Sequence, residues 1–315
     1  MTKNDRNLKV SANIENEIVA IKQDHIHGST FLLHKAIKLF YSMISKKSDI
    51  SKNTIEYVLI KLIQAQPTMA PLVNFSNELL YSLSDFEKQN QNNKSITESI
   101  NLFLETYEQK INNENEVIKH HAFKQFYNAD TIATYSSSGT VQKTIKSLAR
   151  NKQKLHVFCS ESRPKNEGTQ LAKKLAEEGM KVYLMTDVTL YSQLKKADAI
   201  IIGSDAITYQ GVINKMGSYP LAMIAKQFNI PFYCITSSQK ILPKYYKLPD
   251  EPPKPPTDLI ANTSNQLTVI NYYFDTTPFP LITGFITEKG IHKSKDIKNI
   301  IKEKKLHPTL KKIMK

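Results

Sequence analysis

The chain has 315 residues, with 43 lysine and arginine side chains against 29 aspartate and glutamate, 40% hydrophobic residues and two cysteines. This composition excludes a disordered chain, and a count of two thiols excludes a disulfide framework or a four-thiolate zinc site. The first residues lack the apolar core of a secretory signal, and no apolar run approaches the ~20 residues of a membrane span, so we expect a cytoplasmic protein with no membrane contact.

The net charge of +14 is concentrated near the end of the chain. Residues 293–315 hold nine lysines and two carboxylates, half of the whole excess. Only three of the 43 basic residues are arginine, the side chain that base and phosphate recognition favours. We interpret the charge chiefly as a solvated lysine surface, with direct RNA binding through the tail as the lesser alternative. Ile297, Ile300 and Ile301 have helical spacing, so a docked terminal helix explains the tail equally well.

The first 127 residues have helical periodicity. Apolar residues recur three or four apart in the segment that begins at Ser29, in NTIEYVLIKLIQAQ, and in APLVNFSNELLYSLS after the break at Pro67. A polar loop at 88–94 precedes SITESINLFLETYEQKI, where Ser95 stands three residues before Glu98 in a capping-box pattern. The sequence predicts a helical N-terminal domain over residues 1–127.

From Asp130 onwards, short β-branched and aromatic runs alternate with helical segments. The predicted strands are TIATYS, LHVFCSES, KVYLMTD, AIIIGSDAI and PFYCITS. Such alternation implies right-handed βαβ crossovers and a parallel sheet, and the apolar run at 199–202 is typical of a central strand. We therefore predict an α/β chain, in which the N-terminal helical domain is followed by a Rossmann-like parallel-sheet domain over residues 128–315 with a basic C-terminal tail.

Ligands of an open parallel sheet bind beyond the carboxyl ends of the strands, beside helix N-termini. Polar loops follow predicted strands at 134–139, 160–164, 203–205 and 237–238, and the segment 214–218 is predicted to open a further helix. These loops carry hydroxyls together with Arg163, Asp205 and Lys215, a set suited to a phosphorylated small molecule. Because no loop matches GxxxxGK[ST] or GxGxxG, the common nucleotide fingerprints are absent.

Each of these features also has a purely structural interpretation. The serines after the first strand are typical of turns as well as of anion sites. Asp205 fits a helix or turn cap, and Arg163 fits a surface ion pair. Asn214 fits a helix N-cap that leaves Lys215 exposed. Both kinds of interpretation stay open from the residues alone.

The histidines and cysteines do not point to a metal or a cofactor. None of the eight histidines forms an HxxxH or HxH pattern with a nearby carboxylate, and the adjacent His120 and His121 point to different sides of a helix. Cys159 and Cys234 lie within apolar strand segments, as buried structural thiols do. We expect no metal site and no cofactor.

Taken together, the loops resemble a known family. Gly203-Ser-Asp205, Gly211 and Asn214-Lys-Met-Gly-Ser218 match a G-[AS]-[DE]-x-[IV]…G-x-[IV]-x-N-K-[IM]-G-[ST] pattern, and Glu161-Ser-Arg-Pro164 with Gly168 matches an ESRP…G loop. FDTTPFPLITGFITEKGI, HGST at 27–30 and QPTMAPLVN at 66–74 resemble further landmarks. These blocks are similar to those shared by the α, β and δ subunits of eukaryotic initiation factor two B, ribose-1,5-bisphosphate isomerase and methylthioribose-1-phosphate isomerase.

The resemblance implies pairing of copies through the C-terminal domain, so we expect a homodimer or a larger homo-oligomer. It also implies that the isomerases of the family convert an aldose 1-phosphate into a ketose with a cysteine after the first strand of the α/β domain and the aspartate of G-x-D. Asp205 retains that aspartate. Ser136 stands at the cysteine position, and His27 and Gln66 stand where the isomerases carry substrate-binding arginines.

Two hypotheses follow. In the first, which these departures favour, the chain is a non-catalytic regulatory or ligand-binding member, with initiation factor two or related subunits as partners and a phosphorylated sugar or nucleotide as ligand. In the second, it is an aldose–ketose isomerase, an intramolecular oxidoreductase, with Asp205 as acid and base. The predicted ligand-binding residues are His27, Gly28, Ser29, Gln66, Ser136, Ser137, Ser138, Arg163, Ser204, Asn214 and Lys215.

Overall fold

The computed structural model describes residues 10–24, 28–45, 50–88, 95–152, 154–262 and 264–313. Contacts between residues divide the chain into two compact units. Unit 1 comprises Met1–Asn113, Leu242–Pro249 and Glu303–Lys315, and unit 2 comprises Glu114–Ile241 and Asp250–Lys302. Two segments from the second half of the chain thus belong to the helical unit, whereas the domain boundary between residues 127 and 128 remains a prediction.

Unit 1 is helical. Its helices are α1 (Ala12–Gln23), α2 (Ser29–Ser45), α3 (Lys52–Ala65), α4 (Ala70–Lys88), the first part of α5 (Ile96–Phe126) and α11 (Pro308–Ile313). The apolar faces of α2 and α4 meet at Phe40 and Phe75, whose ring centroids are 5.6 Å apart and whose side chains are fully buried. Burial of a side chain of this size contributes roughly 1.5–3 kcal/mol, so the predicted periodicity marks the core.

The capping box before α5 forms as predicted. The backbone N–H of Glu98 donates to Ser95 Oγ at 3.1 Å, and the backbone N–H of Ser95 donates to Glu98 Oε2 at 3.0 Å. Two N–H groups that the first helical turn leaves without partners are thereby satisfied. Of the loop predicted at 88–94, Lys88 ends α4 and residues 89–94 lie outside the described part of the chain.

Residues 294–313 contain two helices instead of forming a free tail. In unit 1, the backbone N–H of His307 donates to Asn77 Oδ1 at 2.8 Å, and Asn77 Nδ2 donates to the carbonyl oxygen of Lys305 at 3.0 Å. In unit 2, helix α10 (Ser294–Glu303) buries Ile297 and Ile301 completely. The structure therefore agrees with the interpretation of this segment as a docked helix.

Unit 2 contains a seven-stranded sheet in the order β10-β9-β7-β4-β1-β2-β3, in which β10 is antiparallel and the other strands are parallel. The strands are β1 (Thr131–Thr134), β2 (His156–Ser160), β3 (Lys181–Met185), β4 (Ala199–Ile202), β7 (Phe232–Ile235), β9 (Gly284–Thr287) and β10 (Gly290–His292). The predicted central strand at 199–202 is confirmed as β4. The predicted α/β class, a helical N-terminal part and a mostly parallel sheet, is confirmed as well.

Helices cover both faces of this sheet. They are α6 (Gly139–Asn151), α7 (Glu167–Glu177), α8 (Asp187–Gln193), α9 (Ser218–Gln227) and α10. Ile200 and Ile202 pack in one apolar cluster with Leu221 of α9. Ile201 points to the other face and packs with Ile145 of α6. The alternation follows from the two-residue period of a strand, and it explains why β4 reads as a continuous apolar run.

A small antiparallel sheet in the order β5-β6-β8 corrects two sequence predictions. Its strands are β5 (Ala206–Ile207), β6 (Gly211–Lys215) and β8 (Phe274–Pro278). The segment AIIIGSDAI, predicted as one strand, divides into β4 and β5 in different sheets. The helix predicted from residue 214 begins at Ser218, because Asn214 and Lys215 pair with β8 in the β6 ladder. Within the described residues, no helix is long and apolar enough to cross a membrane.

Candidate active site

The candidate site lies in unit 2, at the carboxyl ends of β1 and β4. These neighbouring strands are where the strand order reverses, since β1 continues to β2 on one side and β4 to β7 on the other. Such a reversal leaves a crevice at the sheet edge. A Cβ atom on Gly203, after β4, would lie 2.5 Å from both Cβ and Oγ of Ser138, after β1. The two predicted loops therefore meet, and their contact requires glycine at 203.

Asp205 is held in the turn between β4 and β5. Its backbone N–H donates to the carbonyl oxygen of Ile213 at 2.9 Å, so it leads into a strand and the helix-cap interpretation is wrong. Burial raises the pKa of the Asp205 carboxyl, and the negative charge of Glu167 adds to this, while the charges of Lys240 and Lys215 oppose it. A carboxyl in this position stays protonated to higher pH than an ordinary aspartate.

Lys240 completes the surroundings of Asp205. Its Nζ donates to the carbonyl oxygen of Ser204, and burial lowers the pKa of its amine against the opposing charge of Asp205. The loop after β7 that carries it is fixed by the hydrogen bond from the Ser238 N–H to Glu288 Oε2 at 3.0 Å. No sequence pattern singles out Lys240. Its one signal is a lysine shortly after a parallel strand, in a loop already noted for its serines.

Lys215 is buried, with 3% of its surface exposed, so the interpretation that leaves it in solvent is wrong. Its Nζ lies 2.9 Å from Glu167 Oε1 and 5.1 Å from the ring centroid of Tyr273. Asn214 Nδ2 donates to Ser218 Oγ at 2.9 Å, across the turn into α9. Glu167 Oε2 is buried without a hydrogen-bond partner among the described residues. Glu167, which the sequence did not indicate, thus holds the lysine of the NKxG segment.

The serines after β1 have different roles. Ser136 adopts a left-handed backbone conformation with φ of 64°, and its N–H donates to Ser162 Oγ at 2.8 Å. Ser138 caps α6, because its Oγ accepts from the N–H of Val141. Ser137 is exposed. The turn-and-cap interpretation therefore accounts for Ser138, while the half-buried Ser136 lies at the end of β1 where the family resemblance places a cysteine.

Two further predicted residues of unit 2 have backbone or side-chain partners near this edge. Arg163 is exposed, and its backbone N–H donates to Asp187 Oδ2 at 3.0 Å. Ser204 is buried, and its Oγ lies 2.7 Å from Thr236 Oγ1, which joins the loops after β4 and β7. Ser204 therefore stabilises the site, and the side chain of Arg163 is open to solvent.

Neither cysteine supplies a thiolate. Cys159 and Cys234 are both buried, as predicted. Burial raises the pKa of each thiol to about 12. A thiol with such a pKa is neutral at physiological pH and a poor nucleophile or base, so neither replaces the missing cysteine chemically.

The predicted N-terminal site residues belong to unit 1. Gly28 precedes α2, Ser29 begins it and is 2% exposed, and its Oγ has no hydrogen-bond partner in the described part of the chain. Gln66 is 7% exposed, and its Nε2 donates to the carbonyl oxygen of Ile21 at 2.9 Å. The Gln66 amide therefore ties the end of α3 to α1. His27 lies outside the described residues, which contain no group of three or more His, Cys, Asp and Glu that could hold a metal ion.

The chain matches known proteins over most of its length. It is 29% identical to ribose 1,5-bisphosphate isomerase of Methanocaldococcus jannaschii, over 82% of this chain and 83% of that protein. It is 32% identical to methylthioribose-1-phosphate isomerase of a Sulfurihydrogenibium species, over 80% and 78%. A solved structure of Pyrococcus horikoshii translation initiation factor eIF-2B superposes with a TM-score of 0.76 at 23% identity, covering 91% of this chain and all of that one, a likeness of fold alone.

A comparison with protein-family models shows which residues carry this similarity. The model described as the initiation factor 2 subunit family matches residues 25–294, which include every element of the candidate site. Because this match spans most of the sequence, the chain belongs to the initiation factor 2 subunit family.

Proposed function

We propose that the chain is a sugar-phosphate aldose–ketose isomerase that acts on a pentose carrying a phosphate on C1. The observation that carries the proposal is the environment of Asp205. Burial raises the pKa of its carboxyl, and the amines of Lys240 and Lys215 lie nearby, at the point where the strand order reverses. The names of the two isomerase relatives support this hypothesis over the non-catalytic one that the sequence favoured.

The reaction is an internal rearrangement, so atoms and electrons balance without a co-reactant. The bond between C1 and the ring oxygen breaks, and the ring oxygen gains a proton. One hydrogen moves from C2 to C1, and the C2 hydroxyl loses its proton as the ketone forms. The protein therefore has to hold the phosphate, move protons between oxygens and assist the transfer at carbon.

Asp205 fits the transfers between oxygens. Because burial raises the pKa of the Asp205 carboxyl, its protonated form persists to higher pH than that of an ordinary aspartate, and this form donates to the ring oxygen as the ring opens. The carboxylate that results accepts the proton of the C2 hydroxyl. One residue thus acts first as acid and then as base, and each turnover returns it to its starting state.

The lysines divide the remaining tasks. Lys215, buried against Glu167 and Tyr273, supplies a fixed positive charge for the phosphate. Burial favours the neutral amine of Lys240, which is the form that accepts a proton. Lys240 therefore supplies a base that takes the proton from C2 and returns it to C1, in a chain where Ser136 replaces the thiol. We expect slow turnover, because the Lys240 amine next to Asp205 is less well placed than a thiolate to remove a proton from carbon.

The test is incubation of the purified protein with ribose 1,5-bisphosphate and, separately, methylthioribose 1-phosphate, with the ketose product followed by NMR. We expect turnover by the wild type and its loss in Asp205→Asn. Asp250→Asn, which changes an exposed aspartate, is the matched control and keeps full activity. Equal rates in wild type and Asp205→Asn would exclude Asp205 chemistry, and no turnover of either substrate would refute the proposal.

The second candidate is a non-catalytic member that binds a phosphorylated sugar or nucleotide and assembles with further copies or with initiation factor subunits. Ser136 at the cysteine position is the observation that favours it, since a serine hydroxyl without a base is far less acidic than a thiol. It predicts saturable binding of ribose 1,5-bisphosphate in calorimetry with no ketose formed over hours. Product formation that depends on Asp205 would exclude it.

A further inference from the structure

A second concave site lies at the amino ends of the strands, opposite the end that carries the candidate active site. Lys181 begins β3 and lines a cavity of about 590 Å³, to which the end of α6 contributes Arg150 and the following loop contributes Lys154. The cavity is therefore separate from the site around Asp205.

The walls of this cavity are strongly basic. Five positively charged side chains line it, together with one carboxylate, that of Glu178. The five are Lys146, Arg150, Lys152, Lys154 and Lys181. Like charges gathered in one concavity repel one another and attract anions into it, since low-dielectric walls focus the potential.

Two of the five charges have structural partners. Lys146 pairs with Glu178. Lys152 Nζ donates to the carbonyl oxygen of Ala129 at 2.6 Å and to Asp130 Oδ1 at 3.2 Å. Both lysines therefore fasten α6 and the loop after it to neighbouring backbone and side chains. Their charges are accounted for by these contacts, without a ligand.

The other three charges have no carboxylate partner in the part of the chain that the structure describes. Within the described residues, no ion pair involves Arg150, Lys154 or Lys181, and all three are exposed at the cavity. Lys181 Nζ lies 5.8 Å from the ring centroid of Tyr183. The C-terminal end of α6 favours one cation at Arg150, but it does not account for the convergence of two more from a loop and a strand.

Size and charge together define the ligand. A volume of about 590 Å³ lies within the range of small-molecule sites, ≈ 300–1,000 Å³, and exceeds what one phosphate fills. Each phosphate group carries about −1.5 to −2 charges, so two such groups balance three cations. Lysine binds phosphate oxygens as a point charge, and Arg150 adds a bidentate donor. We propose that this cavity binds a small molecule with two or three phosphate groups through Arg150, Lys154 and Lys181.

The test is calorimetric titration with inorganic tripolyphosphate at low salt. The wild type is compared with the triple variant Arg150→Gln/Lys154→Gln/Lys181→Gln. The matched control, Lys196→Gln/Lys226→Gln/Lys295→Gln, removes the same charge from exposed positions that do not line the cavity. We expect saturable binding at the cavity of the wild type. The affinity there is at least about 30-fold lower in the cavity variant, because three charge-assisted contacts are lost, and it changes by less than about 3-fold in the control.

Several results would overturn the proposal. Absence of tripolyphosphate binding to the wild type would do so, and so would equal losses in the two triple variants, which would indicate general attraction. Orthophosphate binding as tightly as tripolyphosphate would exclude a multi-phosphate ligand. An oligouridylate of about 20 nucleotides that binds more tightly than tripolyphosphate, and only when the three cations are present, would make the surface an RNA site.

Two controls keep the test decisive. Thermal unfolding checks that the triple variant folds, and the single variants at 150, 154 and 181 replace it if it does not, each with an expected loss of a few-fold or more. Asp205→Asn binds tripolyphosphate as the wild type does, because the cavity does not involve Asp205. This result holds whether or not the protein is an isomerase.

Discussion

Lys215 Nζ lies 2.9 Å from Glu167 Oε1, and this pair joins the end of β6 to the first residue of α7. Lys215 is 3% exposed, whereas the side chain of Glu167 is 30% exposed. The carboxylate neutralises the lysine and also raises the pKa of Asp205. If a phosphate binds Lys215 as proposed, it competes with Glu167, so we expect the two residues to have opposite effects on ligand affinity.

The first prediction concerns this competition. Lys215→Met weakens binding of ribose 1,5-bisphosphate by about 10-fold or more, because the buried positive charge is lost, whereas Glu167→Gln strengthens it by a few-fold. Glu167→Gln also lowers the free energy of unfolding by about 1–3 kcal/mol, because Lys215 remains buried and loses its carboxylate partner. The loss is smaller than for a fully buried pair because Glu167 is partly exposed.

Calorimetry in the Asp205→Asn background measures the two affinities without turnover, and urea unfolding measures stability. Glu161→Gln, at a half-buried position in the preceding loop, is the control. A loss of affinity in both Lys215→Met and Glu167→Gln would contradict the competition and indicate that the pair serves only to stabilise the loop.

The second prediction separates two roles of Lys240. In its protonated form, Lys240 lowers the pKa of Asp205, so Lys240→Gln raises that pKa further and moves the high-pH decline of kcat/KM to higher pH. Lys240→Arg keeps the charge and leaves the decline in place. If the neutral amine acts as a base, both variants lose roughly 10²-fold or more in kcat, because arginine stays protonated. Full activity in Lys240→Arg would limit Lys240 to an electrostatic role.

The spacing of apolar residues predicted most of the fold, because helical spacing and continuous apolar runs each arise from one kind of buried surface. The helical spacing around Phe40 and Phe75 marks a buried face, and the apolar run at β4 marks a strand covered on both sides. The strand β6 was missed because its polar end, Asn214 and Lys215, reads as a helix start. Its partner β8 lies about 60 residues further along the chain, and such a distant pairing leaves no local pattern.

The candidate site was predictable only in part, for a related reason. Loops at the ends of β1 and β4 follow from the rule for parallel sheets, and Ser138 and Gly203 do meet. Glu167 and Lys240 acquire their roles from tertiary contacts, with Lys215 and with the Ser204–Asp205 turn. Neither residue stands in a motif that periodicity, composition or charge singles out.

The third prediction tests the contact of the loops after β1 and β4. Gly203→Ala places a Cβ atom 2.5 Å from Ser138 and lowers the free energy of unfolding by about 1–3 kcal/mol. Ser138→Gly removes the opposing atoms at a cost of a few tenths of a kcal/mol to the helix cap, so the double variant regains most of the loss. Gly139→Ala, with open space around the new Cβ, is the control. Additive losses in the double variant, measured by urea unfolding, would show that the clash is not the cause.

The fourth prediction concerns stability and pH. Asp275 Oδ2 accepts from the N–H groups of Gly217 and Tyr219 at the start of α9, and burial raises the pKa of its carboxyl from 3.8 to about 6. The folded chain therefore binds this proton more tightly than the unfolded chain. As the pH rises from about 4 to about 6, the free energy of unfolding falls by about 2 kcal/mol through this group.

Asp275→Asn has no proton to lose, so its stability changes less across that interval than that of the wild type. Urea midpoints at pH 4.5, 5.5 and 6.5 measure the difference between the two proteins, and Asp250→Asn is the exposed control. Parallel pH profiles for wild type and Asp275→Asn would assign the pH dependence to other groups, such as Asp205.

The last prediction returns the missing thiol. Ser136 is half-buried at the end of β1, where Ser136→Cys puts a group of ordinary pKa ≈ 8.5 in place of a hydroxyl that does not ionise in this range. We expect isomerase turnover to rise by about 10-fold or more and to increase with pH as the thiolate forms. Iodoacetamide should abolish the gain but leave wild-type activity intact, because Cys159 and Cys234 are buried and their thiols are neutral. Ser137→Cys is the exposed control; an equal gain there, or none at 136, would mean that Ser136 does not face the reacting carbon.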